Sequence, residues 1–217
     1  MQSFFQTELA KLRKRIIKMF GLIDLQLVKS LQSFENQDFE FNETAVKDEN
    51  RIDKLDIKID KLCQRIFALA QPVATDLRFI MSSLRIGNEI ERVGDIALDI
   101  ITRSDSVRSY VSMLKQHKVN ELLREILEIN NKATEAYVNN NSELATELVL
   151  KCRQTEETCK SVFNDIIAQM TKKSQVIVIA TDLILIIRDI ERISNHMENI
   201  ADSIVFIVEG KRIRHAG

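Results

Sequence analysis

Pro72 is the only proline in the chain, and it is joined by just five glycines in 217 residues. These two residue types supply most of the tight turns that a sandwich or barrel of short strands needs. A chain so poor in them is expected to fold as long helices. Glycine-rich phosphate loops are excluded as well, because no GxGxxG or Walker-type run occurs.

Apolar periodicity marks six helical segments. The first covers about 4–34, with Phe5, Leu9, Leu12, Ile16, Met19 and Ile23 on one side. The second covers about 43–70. Its Ile52, Leu55, Ile59, Leu62, Ile66 and Leu69 alternate spacings of three and four, the seam of a helical bundle. Pro72 ends it and opens the third, about 73–103. The fourth, about 106–139, aligns Val119, Leu122, Ile126, Ile129 and Ala133. A polar run at 139–142 breaks it, with Ser142 the expected N-cap of the fifth, about 143–170. There the seam is Leu148, Cys152, Thr155, Cys159, Val162 and Ile166. The sixth covers about 174–210 and leaves a short basic tail at 211–217.

Segments of roughly 30 residues with short connections predict antiparallel packing. The chain is also doubled. Ile90-Glu91-Arg92-Val93-Gly94-Asp95 is echoed by Ile190-Glu191-Arg192-Ile193-Ser194-Asn195, each in the third helix of a set of three. The expected fold is all-α, two tandem three-helix bundles related by internal duplication, at 1–104 and 105–217.

Charge narrows the function. Lys and Arg number 31 against 32 Asp and Glu, without the basic surplus of a nucleic-acid-binding domain. Cys63, Cys152 and Cys159 are an odd set inside helices, as in a reduced, cytoplasmic protein. The N-terminus lacks a signal-peptide core. The apolar run at 175–187 contains Asp182 and is too short to span a bilayer, so membrane association is expected only through partners. The basic runs at 11–18 and 211–215 read as solvated helix faces, with acidic partners or lipid headgroups as the other possible contacts. His117, His196 and His215 stand in no nucleophile–base pattern, and a triad hydrolase is not expected.

The third helix carries acids along a line that otherwise reads as core. Leu77, Leu84, Asn88, Glu91, Asp95 and Leu98 form one stripe, in which the leucines are expected to be buried. Glu91 and Asp95, one turn apart, repel each other and are costly to bury without a partner. On the second helix Glu49, Asp53, Asp56 and Asp60 flank the apolar seam. Antiparallel packing about Pro72 brings Glu49/Asp53 level with Glu91/Asp95. Four carboxylates there would form an all-oxygen site for iron, manganese, magnesium or calcium. The other reading is a solvated acidic face paired with Arg85 or Arg92, and Asp56 and Asp60 are read as surface residues. In the second unit Glu191 matches Glu91, while Asn195 replaces the second acid. Cys152 and Cys159 read as core thiols beside Glu156, and His196 as either a ligand or a hydrogen-bonded residue.

The stretch Gln71-Pro72-Val73-Ala74-Thr75-Asp76-Leu77-Arg78-Phe79-Ile80, followed by 90–95, resembles the first repeat of the PhoU family, accessory regulators of bacterial phosphate transport. The segment 191–201 resembles its second repeat. The resemblance implies two three-helix bundles whose acidic motifs hold metal ions, up to a multinuclear iron cluster, with zinc, manganese, nickel or magnesium as other occupants. Glu49, Asp53, Glu91 and Asp95 fall on the first-repeat positions. Glu156, Glu191, Cys152, Asn195 and His196 fall on or beside the second, where the departures leave a weakened, absent or differently selective site. The resemblance also implies a homodimeric, non-catalytic repressor of phosphate uptake and starvation signalling. Its partners would be a sensor histidine kinase and the ATPase of a phosphate ABC transporter. The alternatives are a carboxylate-bridged oxidase or storage protein, which would need Glu-x-x-His pairs, and a regulator of an inorganic-phosphate permease.

Overall fold

The computed structural model describes residues 2–35, 41–107, 113 and 116–213. Among these residues six long helices run α1 (Gln2–Glu35), α2 (Phe41–Leu69), α3 (Ala74–Val107), α4 (Val119–Asn139), α5 (Ser142–Lys172) and α6 (Ile177–Glu209). A single 3-10 turn, Ser174–Val176, precedes α6, and no strand occurs among the described residues. The fold is all-α, two three-helix bundles side by side. His215 and part of the expected fourth segment lie outside the described residues.

The seams of α2, α4 and α5 are buried for the reason the spacing gives: each is the apolar side of its helix, and α4, packed against α1, α5 and α6, buries Leu123 and Tyr137 beside its seam as well. Ile52, Ile59 and Ile66, Val119 through Ala133, and Leu148 through Ile166 all enter the core. Each large aliphatic side chain so buried stabilises the fold by roughly 1.5–3 kcal/mol. Leu69, at the end of the α2 seam, is instead exposed, since the helix stops there.

α3 departs from the sequence reading. Leu77 is 42% exposed, and Leu84 and Leu98 are only half-buried. The buried line is Ile80, Ile86, Ile90, Val93, Ala97 and Ile100. α3 packs against α1, α2 and α6 together, so its core surface is broad. The acidic stripe runs along the edge of that surface rather than through its middle.

Ser142 is not the N-cap of α5. Asn141 holds that position, and its side-chain oxygen accepts from the Leu144 N–H at 3.0 Å. At the other end of the chain, Gly210 closes α6 in the left-handed region, φ 73°, where only glycine is free of Cβ strain.

The two units are joined along α3 and α6, which run antiparallel. Arg103 meets Asp189 at 3.5 Å, and Glu89 meets His196 at 2.7 Å. α1 and α4 form a second seam between the units. Here the Arg13 guanidinium donates to the Asn140 side chain at 2.7 Å and lies over the Phe79 and Tyr137 rings. Buried Tyr137 is within 3.2 Å of the Ser83 hydroxyl. Buried side chains of all six helices form one continuous core.

Candidate metal centre

α2 and α3 approach closely at Gly94. A Cβ there would stand 2.7 Å from Glu49 Oε2 and 3.0 Å from Ile52 Cδ1, so glycine is what lets the Glu49 carboxylate lie across α3. Glu49 is 7% exposed. Its Oε2 accepts from Gln26 Nε2 at 3.2 Å, and the same amide donates to the Ala45 carbonyl. Oε1 is enclosed without a hydrogen-bond partner. Burial first, then the nearby Asp95 and Asp53 charges, push the Glu49 carboxyl up to about 8, against the pull of Gln26.

The remaining acids surround it from both helices. Glu91 is raised by burial and by Asp95, with Arg92 opposing. Arg92 lies 3.4 Å from Glu91 and 3.9 Å from Asp95, and its own side chain is exposed. Asp53 is exposed and Asp95 partly so. Asp56, read from sequence as a surface residue, is half-buried. Its Oδ1 is enclosed, has no partner and lies 3.4 Å from the Cβ position of Gly87. Burial, followed by Asp60 and Asp53, raises its carboxyl too. The readable signal was Gly87, a second small residue on α3 opposite an α2 acid.

Thus α2 and α3 bring Glu49, Asp53, Glu91 and Asp95 together, with Asp56 alongside. Among the described residues no three His, Cys, Asp or Glu side chains are already posed to hold a metal ion. The donor set nonetheless fits a hard cation. It is all oxygen, it has a buried orphan acceptor in Glu49 Oε1, and its single nearby guanidinium is too exposed and too distant to neutralise five acids.

The equivalent place in the second unit is built differently. In the 90–95/190–195 echo Ser194 stands at the place of Gly94, and its hydroxyl donates to the carbonyl of Cys152, the α5 residue near the position of Glu49, at 2.9 Å. The smaller thiol leaves room for the serine side chain. Burial pushes the Cys152 thiol up to about 12, which keeps it neutral, and Cys159 is buried likewise. The carboxylates there have cationic partners. Glu191 takes Arg188 at 2.7 Å, Glu156 takes Lys160 at 2.6 Å, and Glu198 takes Arg153 at 3.2 Å. Asn195 is half-buried. His196 is directed away from these groups, with Nδ1 2.7 Å from Glu89 of α3, where Asn199 also donates at 3.2 Å. These residues are not brought together as a ligand set.

Compared with known families, residues 16–104 match the PhoU domain, and residues 119–204 match it again. The chain belongs to the PhoU family. It is 25% identical over 213 residues to the phosphate-specific transport system accessory protein PhoU of Serratia marcescens, across 98% of this chain and 88% of that one. The protein of the same name from Escherichia coli strain K12 is 25% identical over 218 residues, again across 98% and 88%. Two solved structures share the fold. PhoU from Pseudomonas aeruginosa superposes with a TM-score of 0.88 at 22% identity, covering 95% of this chain and 100% of that one. The phosphate transport system regulatory protein PhoU from Streptococcus pneumoniae gives 0.83 at 22%, covering 96% and 99%. The PhoU motif segment at 90–95 is the stretch of α3 that carries Gly94, Glu91 and Asp95.

Proposed function

We propose that this protein is a cytoplasmic, non-catalytic regulator of phosphate uptake and of phosphate-starvation signalling. The supporting observation is the tandem PhoU match, one copy in each half of the chain. The relatives named above are phosphate-specific transport system accessory proteins by name, and that supports the transport part of this reading. In this reading the helical bundle works by stoichiometric contact. It binds the ATPase of a phosphate transporter and a sensor histidine kinase, and represses both when phosphate is plentiful.

A metal cation belongs to the same reading. Glu49, Asp53, Glu91 and Asp95 would hold it, and its charge would offset four carboxylates that otherwise repel across α2 and α3. The chain's own part is structural. Gly94 admits Glu49 into the interface, and Gln26 orients one of its oxygens.

Expression in a bacterium lacking its own PhoU protein tests the regulatory role. The expected result is restored repression of phosphate-starvation genes in phosphate-rich medium. Unchanged constitutive expression, with the protein present and folded, would overturn the proposal.

A further inference from the structure

The outer face of α1 and α2 carries charge of one sign. On α2, Lys47, Arg51, Lys54, Lys58, Lys61 and Arg65 follow at spacings of four, three, four, three and four, and all six are exposed. That spacing lines them up along one side of the helix. On α1, Lys11, Lys14 and Lys18 are exposed as well. The two rows adjoin: the Arg15 guanidinium donates to the Lys58 carbonyl. Lys11, Lys58, Lys61 and Arg65 border one shallow cleft of about 270 Å³.

Exposed Glu43 stands one turn before the row, and from Lys47 onward the carboxylates within this face are withdrawn from solvent. Glu8 is 2% exposed and bonded to Lys11 at 2.6 Å. Asp48 is buried between Lys29 and Arg51. Asp53, Asp56 and Asp60 belong to the α3 side of α2. Lys14, Lys18, Lys54, Lys58 and Lys61 make no ion pair among the described residues. Among the described residues of the second unit no such row occurs on the matching helices, where Glu121, Glu128, Glu135, Glu143 and Glu147 are exposed.

The shape of this array selects its counterpart. The α2 row alone is about 27 Å long at the rise of an α-helix, far beyond the reach of one small oxyanion. Exposed Ile57 flanks the row beside Lys54 and Lys61, and the Phe4 ring lies beneath Arg65 at 5.3 Å. A long cationic face with an apolar fringe matches a sheet of anionic headgroups over acyl chains. We infer that the α1/α2 face docks directly onto an anionic lipid surface. This goes beyond the regulatory reading, in which partners supply all contact with the membrane, and it stands independently of that reading.

Co-sedimentation of the full chain with protein-free vesicles tests it. The protein should pellet with phosphatidylcholine vesicles containing phosphatidylglycerol, remain in solution with phosphatidylcholine alone, and be released by about 1 M salt. Combining Lys54→Glu, Lys58→Glu and Lys61→Glu should weaken partitioning roughly a hundredfold or more. Lys172→Glu with Lys173→Glu, on α5 and just beyond it, should leave partitioning unchanged. If circular dichroism shows the triple glutamate variant unfolded, the triple glutamine variant is measured instead, with a loss of roughly a hundredfold expected. Equal binding to neutral vesicles, no binding to anionic ones, or indifference to the triple substitution would overturn the inference. So would tighter retention on duplex DNA or polyglutamate than on anionic vesicles, which would assign the face to a nucleic acid or an acidic polypeptide.

Discussion

Glu49 Oε2 lies 2.7 Å from the point where a Cβ on residue 94 would stand, so the position of this carboxylate depends on Gly94 having no side chain. Gly94→Ala therefore pits a helix-propensity gain of about 1 kcal/mol against overpacking of about 1–3 kcal/mol. Ile52 at 3.0 Å blocks the other way out, so overpacking prevails. Thermal denaturation should show a lower Tm, and an unchanged or higher Tm would contradict this packing.

The pH dependence of stability has a definite sign. The Glu49 carboxyl titrates at about 8 in the folded protein and near 4.5 when unfolded. Between those values the folded state holds the extra proton, so stability falls as pH rises through this window. Urea denaturation at a series of pH values, with chelator present, should show a steeper fall for the native protein than for Glu49→Gln. Parallel curves would refute the assignment.

Manganese(II) or iron(II) should raise the Tm of the native protein, because a ligand that binds only the folded state stabilises it, by about 2.7 kcal/mol at 100 times Kd. Glu49→Gln and Asp95→Asn should each abolish that rise, measured by scanning calorimetry with and without metal. Cys152→Ala and His196→Gln should leave it intact, since those side chains face other partners. A metal response that survives Asp95→Asn but is lost in His196→Gln would move the site to the second unit.

His196 ties α6 to α3 through Glu89. Burial disfavours the Glu89 charge, but the hydrogen bonds from His196 and Asn199 prevail and hold the carboxyl below its ordinary value. The stabilisation is present above the unfolded glutamate value and disappears as pH falls through the folded one. His196→Ala should cost about 1.5–3 kcal/mol at neutral pH by urea denaturation, as for a hydrogen bond to a charged group. The difference from the native protein should shrink in acid.

Asn141→Ala should destabilise the protein by about 1 kcal/mol through loss of the α5 cap. Ser142→Ala should have a smaller effect, which chemical denaturation of both variants can check.

The apolar seams were legible in the sequence to different degrees. α2 and α5 pack on one side, and their apolar spacing alone marked the core from Ile52 to Ile66 and from Leu148 to Ile166. α3 has three neighbours, so Leu77 and Ile80 were equally eligible for burial from pattern, and only packing chose Ile80. Glu49, Asp53, Glu91 and Asp95 could be matched across the Pro72 turn by counting residues. Asp56 could not, because its burial depends on Gly87 of the opposite helix. The His196–Glu89 contact joins residues of different units, and no local period encodes it.

α2 separates opposite charges on its two flanks, the Lys47–Arg65 row toward α1 and the Glu49–Asp60 row toward α3. With a net charge of only -1, the molecule is a weak monopole, and the two flanks of α2 give it a local transverse dipole. A negatively charged plane would therefore turn it before contact, with α1 and α2 leading. The Glu49 cluster, on the other flank of α2, would then face away from the plane with exposed Asp53 still reached by ions in solution, so loading that cluster need not wait for the molecule to leave the plane.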